Sequence, residues 1–86
     1  MTVWKYRLIY GLQNVPMTEG AEILTAQVQD GAPQLWALLD ASRQPQERTI
    51  LVAATGQTIP PGARYIATFQ IDEGTYIFHA FEVIPI

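Results

Sequence analysis

The chain has 86 residues, of which 49% are hydrophobic and 15% charged, with no cysteine and a net charge of −3. This length suits one small domain, residues 1–86, and so small a domain cannot hide that much apolar side chain, so we expect it to form a homo-oligomer. The excess of acidic residues argues against duplex nucleic acid as a partner. The absence of cysteine excludes a disulfide framework and a thiol nucleophile. The sequence contains no run of about 18 apolar residues, so it predicts no membrane-spanning segment.

Alternation of side chains along residues 3–10 predicts a first strand, because aromatic and β-branched residues are frequent there. Residues 11–20 contain glycine, asparagine and proline and predict a connection, with a short edge piece at 15–17 where proline cannot donate to a ladder. Residues 41–47 are the most polar stretch and predict an exposed loop. Residues 48–55 predict a further strand, and residues 56–63 a turn-rich connection.

Two hairpin patterns are the clearest local signals. The first, residues 23–39, is centred on Asp30-Gly31, a pair typical of a two-residue type I′ turn. Counting back from that turn places four polar or aromatic side chains on one face, namely Thr25, Gln27, Gln34 and Trp36. The same count places six apolar side chains on the core face: Leu24, Ala26, Val28, Leu35, Ala37 and Leu39.

The second hairpin, residues 65–83, turns at Glu73-Gly74 and places His79 opposite Thr68. Residues 84–86 extend it as an apolar tail. Taken together, these elements predict a small, single, all-β domain of about six antiparallel strands, arranged as a sandwich or a partly open barrel.

Eight side chains are candidates for ligand contact: Trp4, Arg7, Gln27, Trp36, Arg48, Arg64, Tyr65 and His79. Trp36 among amides suits a stacking platform for a planar ligand, a subunit interface, or plain packing within the subunit. Arg48 and Arg64 each precede a strand, where arginine suits anion capture at a sheet rim or an ordinary solvated strand end.

His79 is the one histidine of the chain and lies between two phenylalanines. A catalytic base requires a nucleophile and an orienting carboxylate nearby, and the sequence contains no signature for such a set. A single histidine without cysteine also makes a poor metal site. We therefore expect a hydrogen-bonded structural histidine, no metal or other cofactor, and no enzymatic activity.

Several motifs resemble those of a family of small phage and prophage proteins catalogued as a domain of unknown function. They span nearly the whole chain and include Val3-Trp-Lys-Tyr6, Gln27-Val-Gln-Asp-Gly31, Leu35-Trp-Ala-Leu38, Tyr65-Ile-Ala-Thr-Phe-Gln70 and Phe78-His-Ala-Phe-Glu82. The resemblance implies a phage or prophage origin. It carries no assigned catalytic or binding residue.

A phage setting implies a role in handling the host. Our first hypothesis is a non-enzymatic, homo-oligomeric binding protein of the host cytoplasm that antagonises host defence by sequestering a nucleotide-derived immune signal. The alternatives are an inhibitor that binds a host defence protein directly and a structural or assembly protein of the virion. A hydrolase acting through His79 is disfavoured because no triad or metal set accompanies it.

Overall fold

The computed structural model describes residues 1–84, and within them it contains seven β-strands and no helix. The strands are β1 (Thr2–Arg7), β2 (Gly11–Thr18), β3 (Glu22–Gln29), β4 (Ala32–Leu39), β5 (Pro45–Ala54), β6 (Ala63–Ile71) and β7 (Tyr76–Val83). They form a three-stranded sheet of order β1-β4-β3 and a four-stranded sheet of order β2-β5-β7-β6, both antiparallel. The predicted all-β class is therefore confirmed, and the sheets do not close into a barrel. Residues 1–84 contain no helix that is long and apolar enough to cross a membrane.

The core lies between the two sheets, because successive side chains of a strand point to opposite faces and one set from each sheet is apolar. Leu35 of the smaller sheet and Ile50 of the larger one have no exposed surface. The buried cluster also contains Leu8, Val15, Met17, Ala21, Ala26, Ala37, Leu39, Val52, Ala67, Phe69 and Ala80.

The first hairpin confirms the predicted register from the turn back to Thr25, which pairs with Trp36. Asp30 and Gly31 both have positive φ, at 54° and 74°, as a type I′ turn requires. The prediction that Leu24 lies on the core face is wrong, because a β-bulge at this residue shifts the pairing. Leu24 is instead 45% exposed.

The prediction of a connection over residues 11–20 is also wrong, since Gly11–Thr18 forms an eight-residue strand that pairs with β5 along its whole length. Pro16 is tolerated because β2 is an edge strand, and one side of its backbone has no partner strand. This strand raises the count from about six to seven. Its partner β5 begins at Pro45, inside the predicted polar loop.

The first strand ends earlier than expected, at Arg7. Beyond it the backbone N–H of Leu8 donates to the Pro33 carbonyl at 2.9 Å, and the buried Leu8 side chain fixes the chain as it crosses to the other sheet. In the second hairpin His79 pairs with Thr68 as predicted. Of the predicted apolar tail, residues 85–86 lie outside the described residues.

Candidate functional site

The outward face of the three-stranded sheet gathers three of the predicted site residues, Arg7, Gln27 and Trp36. Strand register decides this, because directly paired residues of an antiparallel sheet project from the same side. Two adjacent rows run from β1 through β4 to β3, with Trp36 at the centre of one row and Gln34 at the centre of the next. We call this surface the Trp36 face, formed by Lys5, Arg7, Thr25, Gln27, Gln34 and Trp36.

Hydrogen bonds hold two of the polar side chains of the Trp36 face to β3. Lys5 Nζ donates to Gln29 Oε1 at 2.6 Å, and Gln34 Nε2 donates to the Gln29 carbonyl at 3.2 Å. Arg7 is exposed, and its guanidinium makes no hydrogen bond or ion pair with another residue in the range 1–84. The face therefore presents one cation held in place beside one that can reach a ligand.

Trp36 is half-buried on this face, so its indole keeps some surface open to solvent. Partly exposed indole rings stack on planar groups, while ammonium and guanidinium groups bind phosphate and side-chain amides offer hydrogen bonds. The surface is open rather than enclosed. Chemically, the Trp36 face suits a flat anionic ligand.

A separate cleft of about 380 Å³ opens where the edges of β3 and β6 approach each other without pairing. Both strands have a β-bulge there, at Leu24 and at Ile66. A bulge leaves one residue unpaired and bends its strand. The two bulges therefore account for the open seam between the sheets.

An ion pair between Arg48 and Glu82 lines this cleft. Arg48 donates through Nε and Nη2 to the two carboxylate oxygens, with Nη2 3.0 Å from Oε1, and its Nη1 donates to the Ala21 carbonyl at 2.8 Å. The hydrogen bond to Glu82 raises the pKa of Arg48, although burial opposes it. The guanidinium predicted to capture an anion is thus already neutralised within the protein.

Arg64 and Tyr65 are neighbours in the sequence, but they project from opposite sides of β6. Arg64 pairs with Glu82 and projects inward, whereas Tyr65 pairs with Phe81 and projects outward. The rings of Tyr65 and Phe81 meet edge to face, with centroids 5.9 Å apart. Both residues border the cleft, but the tyrosine ring packs against Phe81 on the outer surface of the sheet. The two side chains therefore cannot clamp one ligand between them.

Trp4 lies apart from the other predicted site residues. It is exposed on the core-facing side of the edge strand β1, in a shallow groove shared with Tyr6, Pro16 and Met17. Partial burial in this groove raises the pKa of Tyr6. The groove is apolar and contains no cation.

His79 is held by hydroxyl groups on both sides of its ring. Its Nε2 lies 2.7 Å from Thr55 Oγ1 and its Nδ1 lies 2.9 Å from Thr68 Oγ1, which in turn lies 2.8 Å from the Tyr65 hydroxyl. No carboxylate in residues 1–84 hydrogen-bonds to the imidazole, and no three His, Asp or Glu side chains of that range cluster as metal ligands. Both ring nitrogens therefore have hydroxyl partners, and no carboxylate within residues 1–84 orients the ring.

The chain belongs to a family described as a domain of unknown function. The model of that family, DUF7352, matches residues 1–85. No curated protein and no solved structure is significantly similar to the chain. The match agrees with the expectation of a domain of unknown function, and it assigns no ligand and no reaction.

For this member of the family, the eight predicted site residues divide among four places. Arg7, Gln27 and Trp36 share the Trp36 face, Arg48, Arg64 and Tyr65 border the cleft, Trp4 lies in the edge groove, and His79 lies on the outer surface of the larger sheet. Sequence reasoning missed Lys5 as part of the Trp36 face and Glu82 as the partner of Arg48. Both depend on pairings between strands far apart in the chain, which no local pattern reveals.

Proposed function

We propose that the protein is a non-enzymatic binding protein whose Trp36 face holds a nucleotide-derived ligand. The strand register carries this proposal, because it places a half-buried indole next to Lys5 in one row and Arg7 in the adjacent row. A base would stack on the indole, and a phosphate would bind the two cations. Gln27, next to Thr25 on the same face, would donate to base or sugar oxygens.

The cleft is a weaker candidate for such a ligand. Arg48 is paired with Glu82, and the other two charged residues of the lining, Arg64 and Glu22, are of opposite sign. Because the ring of Tyr65 packs on the other side of its strand, the cleft lacks an aromatic platform. Stacking and phosphate binding therefore come together on the Trp36 face rather than here.

In a phage or prophage setting, such binding would remove a nucleotide-derived immune signal from the host cytoplasm. The resemblance of the motifs to phage proteins supports this setting. The non-enzymatic part of the proposal is supported by the hydrogen bonds of His79, which within residues 1–84 join it to threonine hydroxyls and to no orienting carboxylate. A protein of this kind acts by holding its ligand in stoichiometric amounts, without converting it.

Calorimetry against cyclic oligonucleotides, cyclic ADP-ribose isomers and mononucleotides tests the proposal. The variant Trp4→Phe leaves Trp36 as the one indole of the chain, so quenching of its fluorescence reports directly on the proposed face. We expect Trp36→Ala and Arg7→Ala each to weaken binding about 10- to 100-fold, the range that loss of one stacked base or one charge-assisted phosphate contact produces. Arg64→Ala is the matched control, because this arginine is also exposed but lies at the cleft.

Three outcomes would contradict the proposal. Absence of binding across the panel at about 1 mM ligand, where binding is worth only about −4 kcal/mol, would direct attention to a host-protein inhibitor. Loss of binding in Arg64→Ala with retention in Arg7→Ala would move the site to the cleft. Recovery of a chemically altered ligand after heat release, measured by chromatography, would show turnover and refute the non-enzymatic assignment.

A further inference from the structure

The outward face of the four-stranded sheet is almost free of charge. One row crosses all four strands as Leu12, Leu51, Phe81 and Tyr65, and we call the surface built on this row the Leu51 face. Among the outward-facing residues of β2, β5, β6 and β7, as far as the structure describes them, Glu47 near the start of β5 is the one Asp, Glu, Lys or Arg. A soluble surface of this size usually carries several such groups.

Most polar side chains near the centre of the Leu51 face hydrogen-bond to one another. Thr49 Oγ1 lies 3.0 Å from Asn14 Oδ1 at one end. Beside the central row, a chain of contacts of 2.7 to 2.9 Å links Thr55, His79, Thr68 and the Tyr65 hydroxyl. Burying a polar group is costly when it loses its partners and cheap when its partners come with it. Removing water from these hydrogen-bonded groups therefore costs little free energy.

The size of the Leu51 face matches a small protein interface. Its four strands are eight to ten residues long. With strands about 4.8 Å apart and a rise of about 3.3 Å per residue, they offer about 500 Å² per copy. Two such faces would bury about 1,000 Å², which is the lower bound for a specific dimer.

We propose that the Leu51 face is the surface through which two copies of this chain form a two-fold symmetric dimer. A partner with a charged surface would leave its charges unpaired against this face, whereas a second Leu51 face has the same size and carries Glu47 as its one described charge. A chain that is 49% hydrophobic and 15% charged gains from burying this area. The proposal is independent of the nucleotide ligand, because the Trp36 face lies on the opposite side of the molecule.

Sedimentation equilibrium of the full chain tests the dimer. We expect the mass to rise from 9.6 kDa to twice that value with a dissociation constant in the micromolar range. Leu12→Glu places a carboxylate on each copy of the interface, and we expect it to weaken the dimer at least about tenfold, because these charges have no partner there. Val3→Glu is the matched control, since Val3 is 53% exposed on an edge strand of the other sheet and Leu12 is 64% exposed on an edge strand of this one.

Amide chemical shifts recorded on dilution provide a second readout that does not depend on a variant. We expect concentration-dependent shifts at residues of the Leu51 face, such as Thr49 and Phe81, and constant shifts at Trp36. A mass of 9.6 kDa at all concentrations up to about 1 mM would overturn the proposal, because such a dimer would be too weak for a specific interface of this area. Equal weakening by Val3→Glu, or dilution shifts centred on the Trp36 face, would place the contact elsewhere.

Discussion

Replacing Arg48 with methionine removes the cation from the ion pair at the seam between the two sheets. The partner carboxylate of Glu82 then remains inside the protein without a counter-ion, and the Ala21 carbonyl loses the donor that reaches it at 2.8 Å. Methionine retains most of the volume of the arginine stem, so the loss reports on charge and hydrogen bonding rather than on a cavity. We therefore expect Arg48→Met to lower the free energy of unfolding strongly.

The magnitude follows from burial. The Glu82 side chain exposes 7% of its surface and that of Arg48 exposes 18%. Removing one partner of a buried pair costs about 3 to 5 kcal/mol, and a domain of this length has a total stability of about 4 to 13 kcal/mol. Removing both charges in Arg48→Met/Glu82→Leu should restore most of that loss, because no charge is then left unpaired. The pair of Arg43 and Glu19 is the matched control, since its side chains are 53% and 55% exposed.

Urea unfolding followed by tryptophan fluorescence measures these differences, with the single variants and the double variant forming a double-mutant cycle. We expect a coupling energy of about 2 kcal/mol or more between Arg48 and Glu82. For the solvent-exposed Arg43→Met variant we expect an unfolding curve that overlays the wild type. A coupling energy below about 0.5 kcal/mol for the Arg48 pair would refute the reasoning, because it would mean that solvent already screens these charges.

Two further predictions concern the turns. Gly31→Val should lower the free energy of unfolding by about 1 to 3 kcal/mol, because a β-branched residue resists the φ of +74°. Gly31→Asn should lower it less, because asparagine tolerates that backbone conformation. Equal melting temperatures for the two variants would contradict the turn assignment. No heavy atom lies within 4 Å of a Cβ built at Gly31, so the loss is one of backbone conformation. The Asp40 carboxylate accepts hydrogen bonds from the Ser42 hydroxyl at 2.6 Å and backbone N–H at 3.0 Å, which lowers the pKa of Asp40. The stabilisation that this carboxylate contributes is present above the ordinary carboxyl pKa and is lost as the pH falls through the folded-state pKa. Ser42→Ala should raise the pKa of Asp40 in an NMR titration. An unchanged pKa would show that Ser42 does not cause the lowering.

Local signals in the sequence predict the hairpins well and the edge strands poorly. The Asp30-Gly31 turn fixes register over the adjoining residues, because the two strands are covalently joined by the shortest possible link. The strand Gly11–Thr18 escapes prediction because glycine, asparagine and proline interrupt its alternation. Its stability comes from pairing with β5, which is distant in the chain. The bulge at Leu24 is invisible for a similar reason, since register shifts depend on both partners.

The candidate site likewise has a part that the sequence predicts and a part that it does not. The arrangement of Trp36 with Gln27 follows from one hairpin and was predictable, whereas the two cations of the Trp36 face arrive on β1, through a pairing with β4 about thirty residues away. The neutralisation of Arg48 by Glu82 depends on the pairing of β5 with β7, which brings together residues 34 positions apart in the chain. Sequence alone therefore identifies the aromatic platform and leaves the electrostatics of each site to the tertiary structure.

The irregular strand edges have a consequence for fibril growth. A sheet lengthens into a fibril when a free edge accepts another strand in register. Here β2 presents Pro16, β3 and β6 are bent by their bulges, and the one regular edge, β1, is six residues long and carries Lys5 and Arg7. Each edge thus resists an incoming strand by a missing donor, a bend or like charges. These edges therefore disfavour edge-to-edge polymerisation of an all-β chain that is 49% hydrophobic.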